Sequence, residues 1–385
     1  MSDMNISNDI FYIGVNDRTL DLFESQYKVP NGVSYNSYVI LDEKVTIMDT
    51  VDKRATSEWL VNLEQALNGR SVDYLVVSHM EPDHAANIQV LAEKYPNMKV
   101  IGNVKTFTMI SQFFDIDLSN RSVIVKEGDT ISLGRHQLQF FMAPMVHWPE
   151  VMVTYESTSK ILFSADGFGK FGTLDMEDKW EEEARRYYMN ILGKYGSAVQ
   201  TLLKKLDAID ISMICPLHGP ILKDDLAFYL GKYKIWSSYQ PEEEGTLIAY
   251  ASIHGNTGIA ARKLADILIQ MGKKNILVRD LSRSDSSEVV TKAFQYSNLV
   301  VAAASYDAGV FPCMEEFLLH LKAKNFQKRK VGIIENGSWV PKAGVCMKEI
   351  LQQMKEIEMP DEIITIKSTL KAENMDKFNE LANWL

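Results

Sequence analysis

Short apolar segments of strand length recur through the first 219 residues, and they alternate with a few stretches of helical periodicity. The predicted strands cover residues 34–41, 45–48, 74–77, 122–125, 138–142, 151–155 and 161–163. Helical spacing of apolar residues appears at 55–67, at 88–93 and through a long stretch, 177–206. Strands and helices interleaved in this way predict a mixed fold in which helices cover sheets.

The second part of the chain has a more regular pattern, in which strands and helices alternate one by one. Predicted strands at 246–252, 276–279, 299–304, 331–335 and 362–366 alternate with predicted helices at 258–271, 287–294, 314–322, 344–354 and after Lys371. Five strand-helix units in succession predict one doubly wound sheet of five parallel strands.

A run of six residues, Gln-Pro-Glu-Glu-Glu-Gly at 240–245, separates the two patterns. Because it combines Pro and Gly with three acidic residues, it predicts a linker between two domains, 1–240 and 245–385, with a solvated turn as the alternative. The length of 385 residues agrees with two domains, since single hydrophobic cores stop growing at about 250–300 residues.

The composition excludes several classes of partner. A net charge of -10 and a pI near 5.3 argue against binding to a phosphate backbone. The N-terminus lacks a basic region followed by an apolar stretch, and no uncharged apolar run approaches the roughly 18 residues of a membrane span. We therefore expect a soluble, cytoplasmic protein. Its three cysteines, Cys215, Cys313 and Cys346, are scattered, so any metal must be held by histidines and carboxylates.

Metal-binding side chains are concentrated directly after the predicted strand 74–77. His79, Glu81, Asp83 and His84 lie within six positions there, and imidazole and carboxylate together can hold a divalent transition metal. The alternative is a polar turn in which Asp83 caps a helix at 85–93. His147, Asp166 and His218 also follow apolar segments of strand length. This repetition favours one shared metal site over separate structural roles.

Three loops of the second part suit a flat heteroaromatic ring that carries one phosphate. The first joins a strand to a helix N-terminus, where hydroxyl, amide and backbone N–H groups can receive a phosphate. The candidate binding residues are Ser252, His254, Gly255, Asn256 and Thr257 in the first loop, Ser305, Tyr306, Asp307, Ala308 and Gly309 in the second, and Asn336, Gly337, Ser338 and Trp339 in the third. Ordinary loop packing is the alternative for Tyr306 or Trp339 alone. With these loops the chain resembles the flavodoxin-like family, whose members bind FMN.

The first part resembles the metallo-β-lactamase fold, an αββα sandwich with a metal pair at one edge. The order Asp49, His79-x-Glu81-x-Asp83-His84, His147, Asp166 and His218 carries this resemblance. Hydrolases of that fold have His-x-His-x-Asp-His, and here Glu81 stands at the second histidine position. A carboxylate adds negative charge and a harder oxygen donor, which favours redox-active iron over zinc.

Both halves together resemble the flavodiiron proteins, and the resemblance covers nearly the whole chain. It implies FMN and two non-haem irons per chain. One iron would be held by His79, Glu81 and His147, the other by Asp83, His84 and His218, with Asp166 bridging both. Tyr195 would line the substrate pocket, with a plain core position as the equal alternative. Some relatives carry a histidine near residues 22–27, and this chain does not.

The resemblance also implies an activity and its partners. It implies reduction of dioxygen to water, of nitric oxide to nitrous oxide, or of both, by electrons that pass from FMN to the irons. Family members form head-to-tail homodimers, or dimers of dimers, because the two sites of one chain are far apart. The expected electron donor is a separate rubredoxin, with reduced deazaflavin F420 (F420H2) as the alternative. A zinc hydrolase with an appended flavodoxin domain and a pure electron carrier are the competing interpretations.

Overall fold

The computed structural model describes residues 5–177 and 179–385, and contacts between Cα atoms divide the chain into two compact units. The first unit contains the residues up to Tyr188 together with Ser197–Lys234, and the second contains Met189–Gly196 and Ile235–Leu385. The domain limits 1–240 and 245–385 remain a prediction.

The first unit is built on two main sheets. Its strands are β1 (Ile10–Tyr12), β2 (Val15–Asp17), β3 (Leu22–Phe23), β4 (Tyr27–Lys28), β5 (Val33–Tyr35), β6 (Tyr38–Ile40), β7 (Thr46–Met48), β8 (Tyr74–Val76), β9 (Lys99–Gly102), β10 (Ser122–Ile124), β11 (Thr130–Ser132), β12 (Gln137–Met142), β13 (Met152–Glu156), β14 (Ile161–Phe163) and β15 (Met213–Cys215). One sheet has the order β1-β6-β7-β8-β9-β10 and the other the order β11-β12-β13-β14-β15. Two further two-stranded sheets pair β2 with β5 and β3 with β4.

Apolar side chains from both main sheets meet in one buried cluster. It includes Ile40, Met48 and Val76 from the first sheet and Phe140 and Phe163 from the second. Such a shared core requires the two sheets to pack face to face. The prediction of a two-sheet sandwich for the first half is therefore confirmed.

The helices that precede the sheet of the second unit are α1 (Thr56–Leu67), α2 (Pro82–Ala85), α3 (Ile88–Lys94), α4 (Val104–Phe113), α5 (Trp180–Tyr187), α6 (Gly196–Leu206) and α7 (Leu226–Ser237). Helix α1 buries Trp59 and Leu63, and α3 buries Ile88 and Leu91. Their apolar residues recur at three- and four-residue spacing, so one face of each helix is covered by the rest of the unit.

The second unit is the predicted doubly wound sheet. Its strands are β16 (Glu243–Ala251), β17 (Ile276–Asp280), β18 (Tyr296–Tyr306), β19 (Gly309–Val310), β20 (Arg329–Asn336), β21 (Ile357–Glu358) and β22 (Ile364–Ile366), and its helices are α8 (Asn256–Gln270), α9 (Ser286–Gln295), α10 (Pro312–Ala323), α11 (Ala343–Leu351) and α12 (Met375–Trp384). Strands β17, β16, β18, β20 and β22 are parallel neighbours in that order. This is the flavodoxin-like order 2-1-3-4-5, and it confirms the prediction.

Three local predictions are wrong. The run 240–245 is not all linker, because β16 begins at Glu243, which pairs with Tyr296. The stretch 177–206 is not one helix. It contains α5, a π-helical turn at Tyr188–Leu192, a 3-10 turn at Gly193–Tyr195, and α6. Asp83 is not a helix cap, since it lies inside α2, and the next helix begins only at Ile88.

Within residues 5–177 and 179–385, no helix combines the length and the apolar character that crossing a bilayer requires.

Candidate metal centre and cofactor pocket

The loop after β8 is held in place by Asp49, which follows the neighbouring strand β7. Asp49 Oδ1 accepts hydrogen bonds from the backbone N–H of Ser78, at 2.6 Å, and of His79, at 3.4 Å. Thr50 holds the other end of the loop, because its hydroxyl donates a hydrogen bond to the carbonyl oxygen of His84 at 2.7 Å. Asp49 has a positive φ of 56°, which is uncommon for a residue other than glycine. The loop that carries His79 and His84 is thus fixed at both ends.

The other predicted ligands also lie in loops that follow strands. His147 comes after β12, Asp166 after β14 and His218 after β15. Strands β14 and β15 are parallel neighbours, so their carboxyl ends meet at one edge of the sheet. Gly219 follows His218 with φ of 78°, and a Cβ there would lie 2.6 Å from Lys170 Cγ. Glycine therefore permits the turn that carries His218.

Four of the predicted ligands form a first group. His147 Nε2 lies 3.0 Å from Glu81 Oε2 and 3.0 Å from Asp166 Oδ2. His79 Nε2 lies 3.3 Å from the same oxygen of Glu81, 3.3 Å from His147 Nε2 and 3.4 Å from Asp166 Oδ2. His79 and Asp166 are almost fully buried, and the Glu81 side chain is 14% exposed. Four donor atoms thus converge on one point.

The remaining three predicted ligands form a second group beside the first. His84 Nε2 lies 3.1 Å from His218 Nε2, and Asp83 Oδ2 lies 3.4 Å from the former and 3.2 Å from the latter. Asp166 connects the two groups, because its Oδ1 lies 3.3 Å from His84 Nε2 while its Oδ2 faces the first group. A carboxylate with one oxygen toward each group has the geometry of a bridging ligand.

The spacing of these atoms fits a metal. Donors about 2.1 Å from a common ion are roughly 3.0 Å apart at right angles and roughly 3.4 Å apart at the tetrahedral angle. The measured separations within the two groups run from 3.0 to 3.4 Å. Both carboxyl oxygens of Asp83 and of Asp166 are buried without a hydrogen-bond partner among the described residues. Such buried oxygens are costly unless a cation compensates them.

The charges of the site also favour a cation. Burial alone would lower the pKa of His79, but the Asp166 charge and hydrogen bonds to Glu150 and Glu81 raise it well above its ordinary value. Burial would also lower the pKa of His147, but hydrogen bonds to Asp166 and Glu81 raise it to about 9. Burial would raise the pKa of Asp166, yet the neighbouring histidines hold it well below its usual range. The carboxylates thus stabilise positive charge at the centre of the site.

Two imidazoles are oriented by acceptors behind them. Glu150 Oε1 lies 2.8 Å from His79 Nδ1 and also accepts the backbone N–H of Met80 at 2.9 Å. The carbonyl oxygen of Ser34 lies 2.7 Å from His218 Nδ1. A carbonyl can only accept, so Nδ1 of His218 carries the proton and Nε2 offers its lone pair to the site. The sequence analysis missed both acceptors. Glu150 follows His147 by three residues, and that proximity was the only signal.

Aromatic side chains enclose the His218 end of the site. Tyr187 is fully buried, its ring centroid lies 5.6 Å from that of His218, and its hydroxyl lacks a hydrogen-bond partner among the described residues. Phe23 packs edge-on against His218 at 5.4 Å. The predicted pocket residue Tyr195 instead lies in the second unit, half-buried beside Lys194. The contacts therefore favour Tyr187 over Tyr195 as the tyrosine at the metal centre.

The three predicted cofactor loops meet around one cavity of about 470 Å³, at the edge of the second unit's sheet where its parallel strands end. Its lining includes the predicted residues Ser252, His254, Asn256, Thr257, Ser305, Tyr306, Asp307, Ala308, Asn336, Gly337, Ser338 and Trp339. Gly255 and Gly309 support the loops instead. Gly255 has φ of 91° directly before α8, and Gly309 pairs with Tyr306 in a short hairpin. The volume lies within the range of small-molecule sites.

The cavity combines a polar end with an aromatic rim. The N-terminus of the 15-residue helix α8 begins at Asn256 and supplies free backbone N–H groups, as a phosphate requires. At the rim, Trp339 is 81% exposed and Tyr306 is 45% exposed. Lys342 and Ser368 also line the cavity, and the sequence analysis missed both. Ser368 follows the short strand β22, whose end the apolar pattern marks only weakly.

Known proteins resemble the chain over both units. The sequence model of a family described as "ODP family beta lactamase" matches residues 33–219. The anaerobic nitric oxide reductase flavorubredoxin of Aliivibrio salmonicida is 29% identical over 348 residues, which are 87% of this chain and 69% of that protein. The rubredoxin oxygen:oxidoreductase of Desulfovibrio gigas matches with a TM-score of 0.93 and 25% identity, covering 98% of this chain and 96% of that one. The chain thus resembles the flavodiiron proteins over both of its units. The fold of a member from Giardia intestinalis agrees as closely, with a TM-score of 0.93 at 22% identity over 100% of this chain and 96% of that one.

Its similarity to these proteins, together with its two donor groups, shows that the chain uses FMN and a pair of non-haem irons. The seven histidine and carboxylate ligands fit two metal ions, and the cavity of the second unit fits a ring with one phosphate. Three carboxylates, Glu81, Asp83 and Asp166, offset three of the four positive charges that two divalent ions would bring. The donor set thus suits hard, redox-active ions such as iron.

Proposed function

We propose that the protein is an oxidoreductase that reduces dioxygen to water, nitric oxide to nitrous oxide, or both. The observation that carries this proposal is the arrangement of the two donor groups around Asp166, with Glu81 in place of the histidine typical of hydrolases. The metal pair, when bound, supplies electrons to a small diatomic ligand, and FMN replaces them. The names of the Aliivibrio and Desulfovibrio relatives, a nitric oxide reductase and an oxygen oxidoreductase, support this function.

Each donor group has its own task in this proposal. His79, Glu81 and His147 hold one iron and Asp83, His84 and His218 hold the other, with Asp166 between them. The buried ligands keep bulk water away and fix the donor atoms before the metal arrives, because Asp49 and Thr50 already hold the loop. A preorganised site of this kind keeps its coordination during redox change.

Tyr187 and Phe23 form the wall beside His218 in this proposal. The unpartnered hydroxyl of Tyr187 is a hydrogen-bond donor for a small ligand, and it is the only polar atom of these two side chains. Phe23, whose ring lies 6.2 Å from that of Tyr187, makes the rest of this wall apolar, so it excludes water without binding the ligand. Burial and the nearby Asp166 charge raise the pKa of Tyr187, so the hydroxyl keeps its proton.

In the second unit, the loops around the cavity hold FMN in this proposal. The α8 N-terminus, with Ser252, Asn256 and Thr257, receives the phosphate, and Tyr306 and Trp339 cover the ring. Ser305 has a supporting task as well, because its hydroxyl accepts the backbone N–H groups of Lys342 and Ala343 and thereby fixes the third loop against the second.

The competing zinc hydrolase is not favoured, and one experiment separates it from a gas reductase. Purified protein is analysed for iron, zinc and flavin, and anaerobic turnover is measured with each gas. We expect about two irons and one FMN per chain, from the seven ligands and one cavity. In His147→Asn, gas reduction should be lost while FMN stays bound. His320→Asn, which lies outside both sites, is the matched control. Zinc in place of iron, with no gas reduction, would contradict the proposal.

We further propose that the active form is a head-to-tail homodimer, or a pair of such dimers, in which each FMN serves the irons of the partner subunit. The test mixes two defective variants. His147→Asn lacks one iron ligand, and Gly255→Val disturbs the left-handed turn before α8, where φ is 91°. Mixed dimers should regain gas reduction, because one intact FMN then meets one intact iron pair. Mixed dimers that stay inactive would show that each FMN serves its own chain.

The proposed electron donor is a separate rubredoxin, and F420H2 is the alternative. The names flavorubredoxin and rubredoxin oxygen:oxidoreductase support rubredoxin for the relatives. The chain covers 69% of the flavorubredoxin, so that relative has additional sequence. The test compares the rate of FMN reduction by reduced rubredoxin with the rate by F420H2. Fast reduction by F420H2 alone would overturn the choice of rubredoxin.

A further inference from the structure

The two metal positions differ in what stands behind their histidines. His79, in the first group, has the carboxylate of Glu150 at 2.8 Å from Nδ1. His218, in the second group, has the neutral carbonyl of Ser34 at 2.7 Å from Nδ1. Nδ1 of His84 is buried without a hydrogen-bond partner among the described residues. Of these three imidazoles, only His79 has a carboxylate in hydrogen-bond contact with its Nδ1.

The hydrogen bonds of Glu150 fix the direction of donation. Its Oε1 accepts the backbone N–H of Met80 at 2.9 Å, and the same oxygen faces His79 Nδ1. An oxygen that already accepts an N–H at this distance acts as an acceptor for the imidazole as well. Nδ1 of His79 therefore donates, and Nε2 points its lone pair toward Glu81 and Asp166. Trp148 packs edge-on against His79 at 5.2 Å and keeps the ring in this orientation.

We propose that Glu150 is a positioning residue that makes the two irons unequal, by holding His79 in one tautomer and giving its imidazole partial negative character. The inference rests on the proposed iron pair. A carboxylate behind a ligand histidine raises the basicity of that ligand. The iron held by His79, Glu81 and His147 is thereby stabilised in its oxidised state, and it has the lower reduction potential of the two. Because the two reduction potentials differ, the iron held by His79, Glu81 and His147 is oxidised before the other.

Two variants separate the charge of Glu150 from its hydrogen bonds. Glu150→Gln keeps an oxygen at the Oε1 position, which accepts both N–H groups. It places the amide nitrogen where Oε2 now has no hydrogen-bond partner among the described residues. Glu150→Leu removes the acceptor and the charge together. The matched control is Glu156→Gln. Glu156 is a second fully buried glutamate that faces a histidine, His136, at 3.0 Å, and it is outside both donor groups.

Metal binding is the first readout. Metal-free protein is titrated anaerobically with Fe²⁺ in competition with a chromophoric chelator. In Glu150→Leu, one of the two dissociation constants should rise by about 10- to 100-fold, the usual cost of removing such a partner, while the other stays unchanged. Glu150→Gln should raise the same dissociation constant by a smaller factor, and Glu156→Gln should change neither of the two dissociation constants. Equal weakening of both positions in Glu150→Leu, or no weakening, would overturn the proposal.

The electronic asymmetry is the second readout. A redox titration followed by electron paramagnetic resonance gives the two midpoint potentials of the iron pair. Glu150→Gln should raise the lower of the two midpoint potentials. The range of potentials over which the mixed-valence state is observed should then become narrower. Glu156→Gln should give the same two potentials as the wild type. An unchanged window in Glu150→Gln would refute the role of the charge. If wild-type protein itself bound fewer than two irons, the proposed function would fail, and that result is distinct from an unchanged variant.

Discussion

Replacing Glu81 by glutamine should weaken metal binding at one of the two positions only. Glu81 is one of four donors in the first group, and it takes no part in the group formed by Asp83, His84 and His218. A four-ligand site has an apparent binding free energy of about 10–16 kcal/mol, so one donor accounts for roughly 3 kcal/mol, or about a hundredfold in dissociation constant. The amide oxygen of glutamine retains part of this donation, so we expect a weakening of about 10- to 100-fold.

The assay for Glu81→Gln is an anaerobic Co²⁺ titration of metal-free protein against a competing chelator, which resolves the two binding events. FMN content is measured in parallel and should not change. Glu43→Gln, an exposed glutamate of the same unit, is the control and should bind both ions as wild type does. If both dissociation constants rose together, the division of the ligands into two groups would be refuted. If neither rose, Glu81 would not be a ligand.

The remaining predictions concern the metal identity, the tyrosines, the loop anchor and the flavin. Glu81→His should raise the ratio of zinc to iron in protein produced with both metals present, and an unchanged ratio would refute the argument from oxygen donation. Tyr187→Phe should slow gas reduction while iron and FMN contents stay at wild-type levels, and Tyr195→Phe should turn over normally; the opposite ranking would restore Tyr195 as the pocket residue. Asp49→Ala should lower the free energy of unfolding in urea by about 1–3 kcal/mol, because two buried N–H groups lose their acceptor, and Asp49→Asn should lose less. Trp339→Ala should raise the FMN dissociation constant about 2- to 12-fold, from a stacking contribution of about 0.5–1.5 kcal/mol, measured by fluorescence titration; unchanged binding would mean that Trp339 does not cover the ring.

The two donor groups could be predicted from the sequence because the positions of their residues follow simple local rules. His79, Asp166 and His218 each follow an apolar segment. The strands before Asp166 and His218 are parallel neighbours, so their carboxyl ends meet at one edge, and His79 follows β8 of the other main sheet. The residue types then limit the chemistry to a metal. Glu150 could not be predicted in the same way, because its partner His79 is 71 residues away. The contact depends on how the start of β13 meets the loop after β8, where the backbone N–H of Met152 donates to the carbonyl oxygen of Ser78 at 3.1 Å.

The surroundings of Tyr187 and Tyr195 could not be predicted for a different reason. The apolar pattern over 177–206 is compatible with one continuous helix, in which the phase of each residue would follow from its number. A π-helical turn at Tyr188–Leu192 changes that phase, so Tyr187 and Tyr195 do not share the surroundings that a regular helix would give them. No periodicity in the sequence marks such a turn.

The sheet of the second unit was predicted nearly completely, and the errors of the prediction lie at strand ends. Glu243 and Glu244 are poor strand residues, yet β16 begins with them because Glu243 pairs with Tyr296 of β18 before a register shift that ends at Thr246. The fifth strand is split into β21 and β22, so the predicted start at residue 362 moves to Ile364. The loop after β22 then brings Ser368 to the cavity. Neighbouring strands, and not local sequence, decided these boundaries.

The most direct test of the central claim is a single turnover of the fully reduced protein. Protein with reduced FMN and ferrous irons is mixed anaerobically with nitric oxide or with dioxygen, and flavin reoxidation is followed by its absorbance. We expect rapid reoxidation by at least one gas in the wild type, and reoxidation slowed by several orders of magnitude in His147→Asn with the same FMN content. Equal rates in the two proteins for both gases would contradict the claim that the electrons leave through the metal pair.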